Sequence, residues 1–397
     1  MKYIIYILLF FPIWVTAQTY KYIGIEEGLS NRRIFSIQKD AEGYMWFLTN
    51  EGMDRYNGKD IKHYRLNKDD NSLESPIHLG WIYTNPHIGT WVIGKQGRVF
   101  QYERKYDDFK LVYKLPNSLE TISYGYMDRN NNIWLCRKHS ILLYNTENAQ
   151  ILQFTNILHS NITAIEQVDD HHFFISTETG VRYLKLENGT LKIIPAETLD
   201  YFHVQVNELY YHQASKRLLI GSFERGLFVY DMNNREIIKP EVDLSDVSIT
   251  CMAPLDESQL LISTEGMGVY KININTCQME QYIVANYQSY NDNVFVDEEK
   301  RIWLSNYPTG ITVIDYRYEN YHWMKHSMGN KQSLINDQVH AVIEDSDGDL
   351  WFGTSNGISL YHSSTGQWHS FLSSFDRQLK DKNHIFITLC EVSPGII

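Results

Sequence analysis

The chain has 397 residues, with 36 Lys and Arg against 48 Asp and Glu, a formal net charge of −12. That balance offers no basic stripe for a phosphate backbone and argues against a nucleic-acid partner. Aromatic residues make up 14% and prolines number only 9, which suits strand cores and excludes a disordered chain.

Residues 1–17 read as a secretory leader. Lys2 gives the positive start, Tyr3 to Val15 the apolar stretch, and Val15-Thr16-Ala17 a small-residue cleavage site before Gln18. An uncleaved anchor is the alternative, but the apolar run is shorter than the ~20 residues of a spanning helix. The expected location is the periplasm, where disulfides are permitted. The four cysteines, Cys136, Cys251, Cys277 and Cys390, nevertheless lie without CxxC spacing. Cys251 falls on an inner strand and Cys277 near an outer edge, too far apart to bridge, so free thiols are expected.

From Gly28 onward the chain repeats a plan. Ile34 to Gln38 is a strand, Asp40-Ala41-Glu42-Gly43 a hairpin turn, Tyr44 to Thr49 a second strand, Met53 to Asn57 a third and Ile61 to Arg65 a fourth. Asp opens the hairpin by accepting a backbone hydrogen bond, and Gly near its end tolerates positive φ. Four strands in about forty residues leave no room for a helix. The second strands are anchored by Trp46, Trp91, Trp134, Phe174, Leu219, Leu261, Trp303 and Trp351, at successive gaps of 45, 43, 40, 45, 42, 42 and 48 residues. Such a period, with a Trp and fixed turn glycines, marks propeller blades, each a small antiparallel sheet. The anchor aromatics, and the tyrosines of the third strands from Tyr56 to Tyr316 and Tyr361, are expected to pack between neighbouring blades.

Seven anchors run from Trp46 to Trp303, and residues 18–24 look like a leftover outer strand that pairs into the last blade and closes the ring. The expected fold is all-β: a seven-bladed β-propeller of four-stranded antiparallel blades over residues 18–331, followed by the start of a second, incomplete propeller over 332–397. Residues Ile335 to Tyr361 repeat Ser30 to Tyr56 without a gap at an offset of 305 (335 − 30), which suggests a fresh start. His384 to Cys390 then begins another inner strand. A single eight-bladed ring is the alternative.

The string GLSNRRIFSIQKDAEGYMWFLTNEGMDRYNG and its echo INDQVHAVIEDSDGDLWFGTSNGISLY resemble the regulator-propeller repeat of bacterial two-component sensors. The Asn after Leu-Ser, the Asp-x-x-Gly turn, the following Trp and the Gly-x-x-x-Tyr spacing carry the match, most strongly in the first, seventh and eighth repeats. The resemblance implies two propellers, a β-sandwich, a membrane span and a histidine kinase, with a periplasmic role in sensing oligosaccharides released from polysaccharides. This chain has no kinase, sandwich or receiver segment and reads as the sensor end of a longer protein, or an exported remnant of one. The implied partners are an oligosaccharide ligand and either the remainder of a sensor kinase or a second copy of the chain.

No catalytic, metal or cofactor site is expected. The Asp345-Ser346-Asp347-Gly348-Asp349 run could bring carboxylates onto a cation, but it occupies the hairpin-turn position and lacks the other ligands of a calcium loop. His171-His172 are adjacent, so on a strand they point to opposite faces. No GxSxG, HExxH or phosphate-cradling loop appears. The turns between second and third strands are more varied and offer Arg137, His139, Phe223, Arg225, Glu265 and Tyr307 as ligand-binding candidates, since sugar recognition combines aromatic platforms with polar groups. The alternatives are a protein-interaction scaffold and a glycan-active propeller enzyme, the latter marked by two acids in a central pocket.

Overall fold

The computed structural model describes residues 19–66, 79–115, 121–284, 293–315, 324–371 and 384–397. The leader reading, and the reading of Tyr316 as a packing residue, fall outside them. The chain divides into two compact units, Met1–Tyr318 and Glu319–Ile397.

In the first unit the described strands form seven four-stranded antiparallel sheets. Their innermost strands are, in order, Ile34–Lys39, Leu79–Asn85, Tyr124–Met127, Ile162–Gln167, Val206–His212, Ile249–Pro254 and Val294–Val296. Six sheets are built from strands consecutive in sequence. The seventh takes its outer strand from the other end of the unit: Thr19–Ile23 pairs antiparallel with Gly310–Asp315, placing Thr19 opposite Asp315 and Ile23 opposite Ile311. Each innermost strand abuts that of the next sheet, and the seventh sheet returns to Ile34–Lys39, closing a ring.

The core is divided accordingly. Seven hydrophobic clusters each fill the gap between one adjacent pair of sheets, as where Trp46, Leu48 and Tyr64 of the first sheet meet Ile82, Val92 and Phe100 of the second. Trp46 is fully buried, with Tyr102 at 5.0 Å and Phe109 at 5.5 Å between ring centroids. Trp134 lies 4.7 Å from Phe173 of the next sheet, and Tyr144 stacks on Tyr113 of the preceding one at 5.1 Å. The expected packing role of the anchors and tyrosines is what these contacts display: flat rings fill a gap that neither sheet could fill alone.

The hairpin aspartates hold those rings in place. Asp40, Asp128 and Asp297 each accept the indole N–H of the Trp six residues later, at 2.7, 2.9 and 2.8 Å. Asp40 and Asp128 also accept two backbone N–H groups of their own turns. In the fourth sheet, where Phe174 has no N–H to give, Asp169 takes the His172 ring instead, and that ring stacks on Tyr183 at 5.5 Å. His172 is the first residue of the strand His172–Thr177. At the seam between the seventh and first sheets, Lys39 bridges Glu298 and Glu299 at 2.6 and 2.7 Å.

Among the described residues the helix-free expectation fails at one place. Glu197–Asp200 forms a single helical turn between the fourth and fifth sheets, because the long connection there folds inward to bury Leu199 in the cluster between them.

The second unit holds one further four-stranded sheet, Val339–Glu344, Leu350–Thr354, Gly357–His362 and Gln367–Phe371, with Leu334, Phe352 and Trp368 at its core. Trp351 donates to Asp345 at 2.7 Å, while the other Asp345 oxygen accepts the N–H groups of Asp347 and Asp349. Residues 384–390 do not form the expected inner strand. They lie across the turn before Gly357 instead, with Gly357 N–H donating to His384 O and Phe386 N–H to Thr354 O, and no described strand pairs with them. All four cysteines are free.

Candidate ligand site in the ring channel

The innermost strands share a defect that shapes the channel. In five of the seven sheets of the first unit the register with the second strand slips at the second residue, between Ile34 and Ser36, Leu79 and Trp81, Ile162 and Ala164, Val206 and Glu208, and Ile249 and Cys251. A bulge releases one residue from the ladder and re-aims it. The five released residues are Phe35, Gly80, Thr163, Asn207 and Thr250, and every one of them lines a cavity on the channel.

The larger cavity, about 550 Å³, is lined by the innermost strands of all seven sheets. A second, about 490 Å³, shares Trp81, Tyr124 and Asn207 with it and reaches Thr121, Asn161 and Glu178 at the end where chains enter the inner strands. Both volumes lie in the range of small-molecule sites. Trp81 and Tyr124 meet edge to face at 5.4 Å, and below them Tyr83 and Tyr126 do the same at 6.1 Å. Gly125 makes the first pair possible, since a Cβ there would lie 2.8 Å from the Trp81 ring.

Two carboxyl groups enter this aromatic wall. Burial pushes Glu166 up to about 7, against the opposing pull of the Tyr211 N–H and of Arg129. Burial, reinforced by the neighbouring Glu166, pushes Glu208 up to about 8. Both remain half-buried by surface, because the channel admits water, so burial here means a ring of strands rather than a sealed core. The Tyr83 and Tyr124 hydroxyls are held well above the usual phenol range chiefly by burial. Glu178 accepts from Asn161 at 3.0 Å at the mouth. Among the described residues lining the two cavities, Glu166, Glu208 and Glu178 carry the carboxyl groups, and there is no Lys, Arg or His.

The residues singled out from the sequence lie on exposed turns at this same end, outside the linings of both cavities. Phe223 is 40% exposed and Tyr307 44%, and Arg225 and Glu265 are exposed beside them in their own turns. His139 is exposed, its ring 6.3 Å from His159. Arg137 is half-buried, with Nε and Nη2 enclosed and unbonded. Sequence reasoning did not single out Trp81, Tyr124, Glu166 and Glu208; the two acids stand in inner strands of mixed polarity, ITAIEQ and VNELYYH, whose pattern gives no sign of the channel.

Ring-closed four-stranded sheets with indole-to-aspartate clasps place the first unit among β-propeller structures. The family model described as two component regulator propeller matches residues 28–51 and 333–356, the first and eighth repeats. Over 90% of this chain the fold is similar to the extracellular domain assigned to the hybrid two component system BT3049 of B. thetaiotaomicron, at a TM-score of 0.61 and 22% identity. A second extracellular domain from that organism, BT4673, matches over 91% at a TM-score of 0.57 and 18% identity. This chain spans about half the length of each, 50% and 48%. Streptogramin B lyase is similar over 75% of this chain and 97% of its own, at a TM-score of 0.60 and 12% identity. None of the curated proteins matches. Among the described residues no helix is long and apolar enough to cross a membrane.

Proposed function

We propose that this chain is an extracytoplasmic ligand-sensing module of a two-component regulatory system, recognising an oligosaccharide and signalling to a kinase carried outside this chain. On this reading residues 18–331 are the sensor propeller, residues 332–397 begin a second one, and the chain itself is not catalytic. The observation that carries the proposal is the aromatic-walled cavity at the end of the channel where the varied turns lie, in a chain with regulator-propeller repeats at both ends. Edge and face aromatics with amide and carboxyl groups between them are what a sugar ring needs for its C–H face and its hydroxyls. A calorimetric screen of neutral, acidic and basic oligosaccharides tests this. Binding that is lost in Trp81→Ala and Tyr124→Ala supports it, and a complete lack of glycan binding refutes it.

The pair Glu166 and Glu208 favours a second reading, a glycan-active enzyme, since acids held near neutral pKa are suited to general acid–base work. Turnover of a polysaccharide by the purified chain that disappears in Glu208→Gln would establish that reading instead.

A further inference from the structure

We infer that the channel of the first unit is a cation site: its ligand presents an ammonium group to Glu166 and Glu208 between the rings of Trp81, Tyr83, Tyr124 and Tyr126. This deepens the sensing proposal and rests on it only for the sugar part; there the ligand is an oligosaccharide with free amines rather than a neutral or acidic one.

Three observations converge on this. The described lining of both cavities carries three carboxyl groups and no Lys, Arg or His. As these groups ionise the tube gains one sign of charge only, and such a tube focuses its field on the opposite sign. The two inner acids are also short of partners. Glu166 accepts one N–H, from Tyr211 at 3.2 Å, and Glu208 accepts none from the described residues. Carboxyl groups with so few protein donors are open to a donor group on a ligand that enters the channel. Finally, four aromatic rings in two edge-to-face pairs stand on neighbouring innermost strands around the same space. Ring faces attract ammonium groups, most strongly where water is scarce.

The other ionisable groups near the pair do not compete for this role. Tyr83, Tyr124, Tyr126 and Tyr210 and the thiols Cys136 and Cys251 all stay protonated and neutral near pH 7, burial raising each of them. Arg129 acts on Glu166 from the hairpin end, and its guanidinium Nη2 is bonded to Gln167 O at 3.3 Å. A bound cation therefore takes the place of a proton on the glutamate pair, and binding at pH 6.5 releases protons to the buffer.

The test uses the purified chain at pH 6.5 in two buffers of different ionisation enthalpy. Choline is compared with its neutral isostere 3,3-dimethylbutan-1-ol, and glucosamine trimer with the trimers of N-acetylglucosamine and galacturonic acid. Expected are at least about tenfold tighter binding of each cation than of its uncharged counterpart, proton release on cation binding, and loss of both in Glu208→Gln and Glu166→Gln. Thermal melts confirm that the variants are folded. Choline binding without trimer binding leaves the cation site standing and removes the oligosaccharide. Equal or tighter binding of the neutral or acidic trimer overturns the cation site and leaves sensing intact. Binding of neither choline nor glucosamine trimer, or unchanged cation affinity in both folded glutamine variants, also overturns it.

Discussion

Asp40 Oδ2 accepts the Trp46 indole N–H at 2.7 Å, and the same bond recurs from Asp128 to Trp134, Asp297 to Trp303 and Asp345 to Trp351. In the first unit one carboxylate thereby ties a hairpin turn to the ring that packs against the next sheet. A turn residue and an interface residue are one device.

Trp46→Ala should cost about 3–5 kcal/mol, the usual result of truncating a buried aromatic. Trp46→Phe keeps most of the ring but leaves Asp40 Oδ2 without its partner, and should cost about 1–3 kcal/mol. Substitutions at the exposed Phe223 or Arg225 should stay within about 0.5 kcal/mol. Denaturant midpoints of the four variants measure this, and equal losses in Trp46→Phe and Arg225→Ala would refute the clasp.

Gly310→Ala should loosen ring closure. Gly310 has φ +111°, and a Cβ there would stand 2.4 Å from Ile23 O on the strand that closes the seventh sheet. Left-handed strain and the clash act together, so the loss should exceed about 1 kcal/mol. Limited proteolysis should cut the variant first near residues 19–23, and wild-type resistance there would show that closure does not depend on this position.

Stability should fall as pH rises because of Glu208. Its folded-state pKa, about 8, lies above the ordinary 4.5, so between roughly pH 4.5 and 8 the folded chain holds more protons than the unfolded one. Unfolding then becomes easier with rising pH through that window and levels off above it. Glu208→Gln lacks this penalty, so its melting temperature should gain on the wild type from pH 5 to 8 and hold the gain at pH 9. Parallel melting curves at every pH would place the carboxyl group in open water.

Thiol reagents should separate the cysteines. Cys390 is exposed, whereas Cys136 is fully buried with its thiol pushed far up by burial, and Cys251 is pushed up to about 12 by burial first. Because thiolates are the reactive form, native protein should label rapidly at Cys390, while Cys136 and Cys251 wait for unfolding. Fast labelling of Cys136 in the native state would contradict the sheet packing.

The sequence made the packing side of each sheet readable because that side repeats. Asp40 and Trp46 have counterparts at fixed spacing, and so do the turns around them. The channel side was hidden for a physical reason. On an isolated strand with period two, Glu166 and Glu208 look like ordinary water-facing acids; only the ring turns that face inward. The bulges at Phe35 and Asn207 depend on pairing geometry and leave no letter of their own. The helical turn at Glu197–Asp200 sits in a connection between sheets, outside the repeated strands and turns.

The pairing of Thr19–Ile23 with Gly310–Asp315 makes closure of the ring a long-range step of assembly. Ile23 and Gly310 stand 287 residues apart (310 − 23) in the chain. The first strand delivered from the N-terminal end has no partner until the last strands of the unit arrive. A contact of such long range is slow to form, and the sheet edges on either side of the gap stay open meanwhile. The chain thus passes through its most aggregation-prone interval with one strand waiting and the seventh sheet open at its edge.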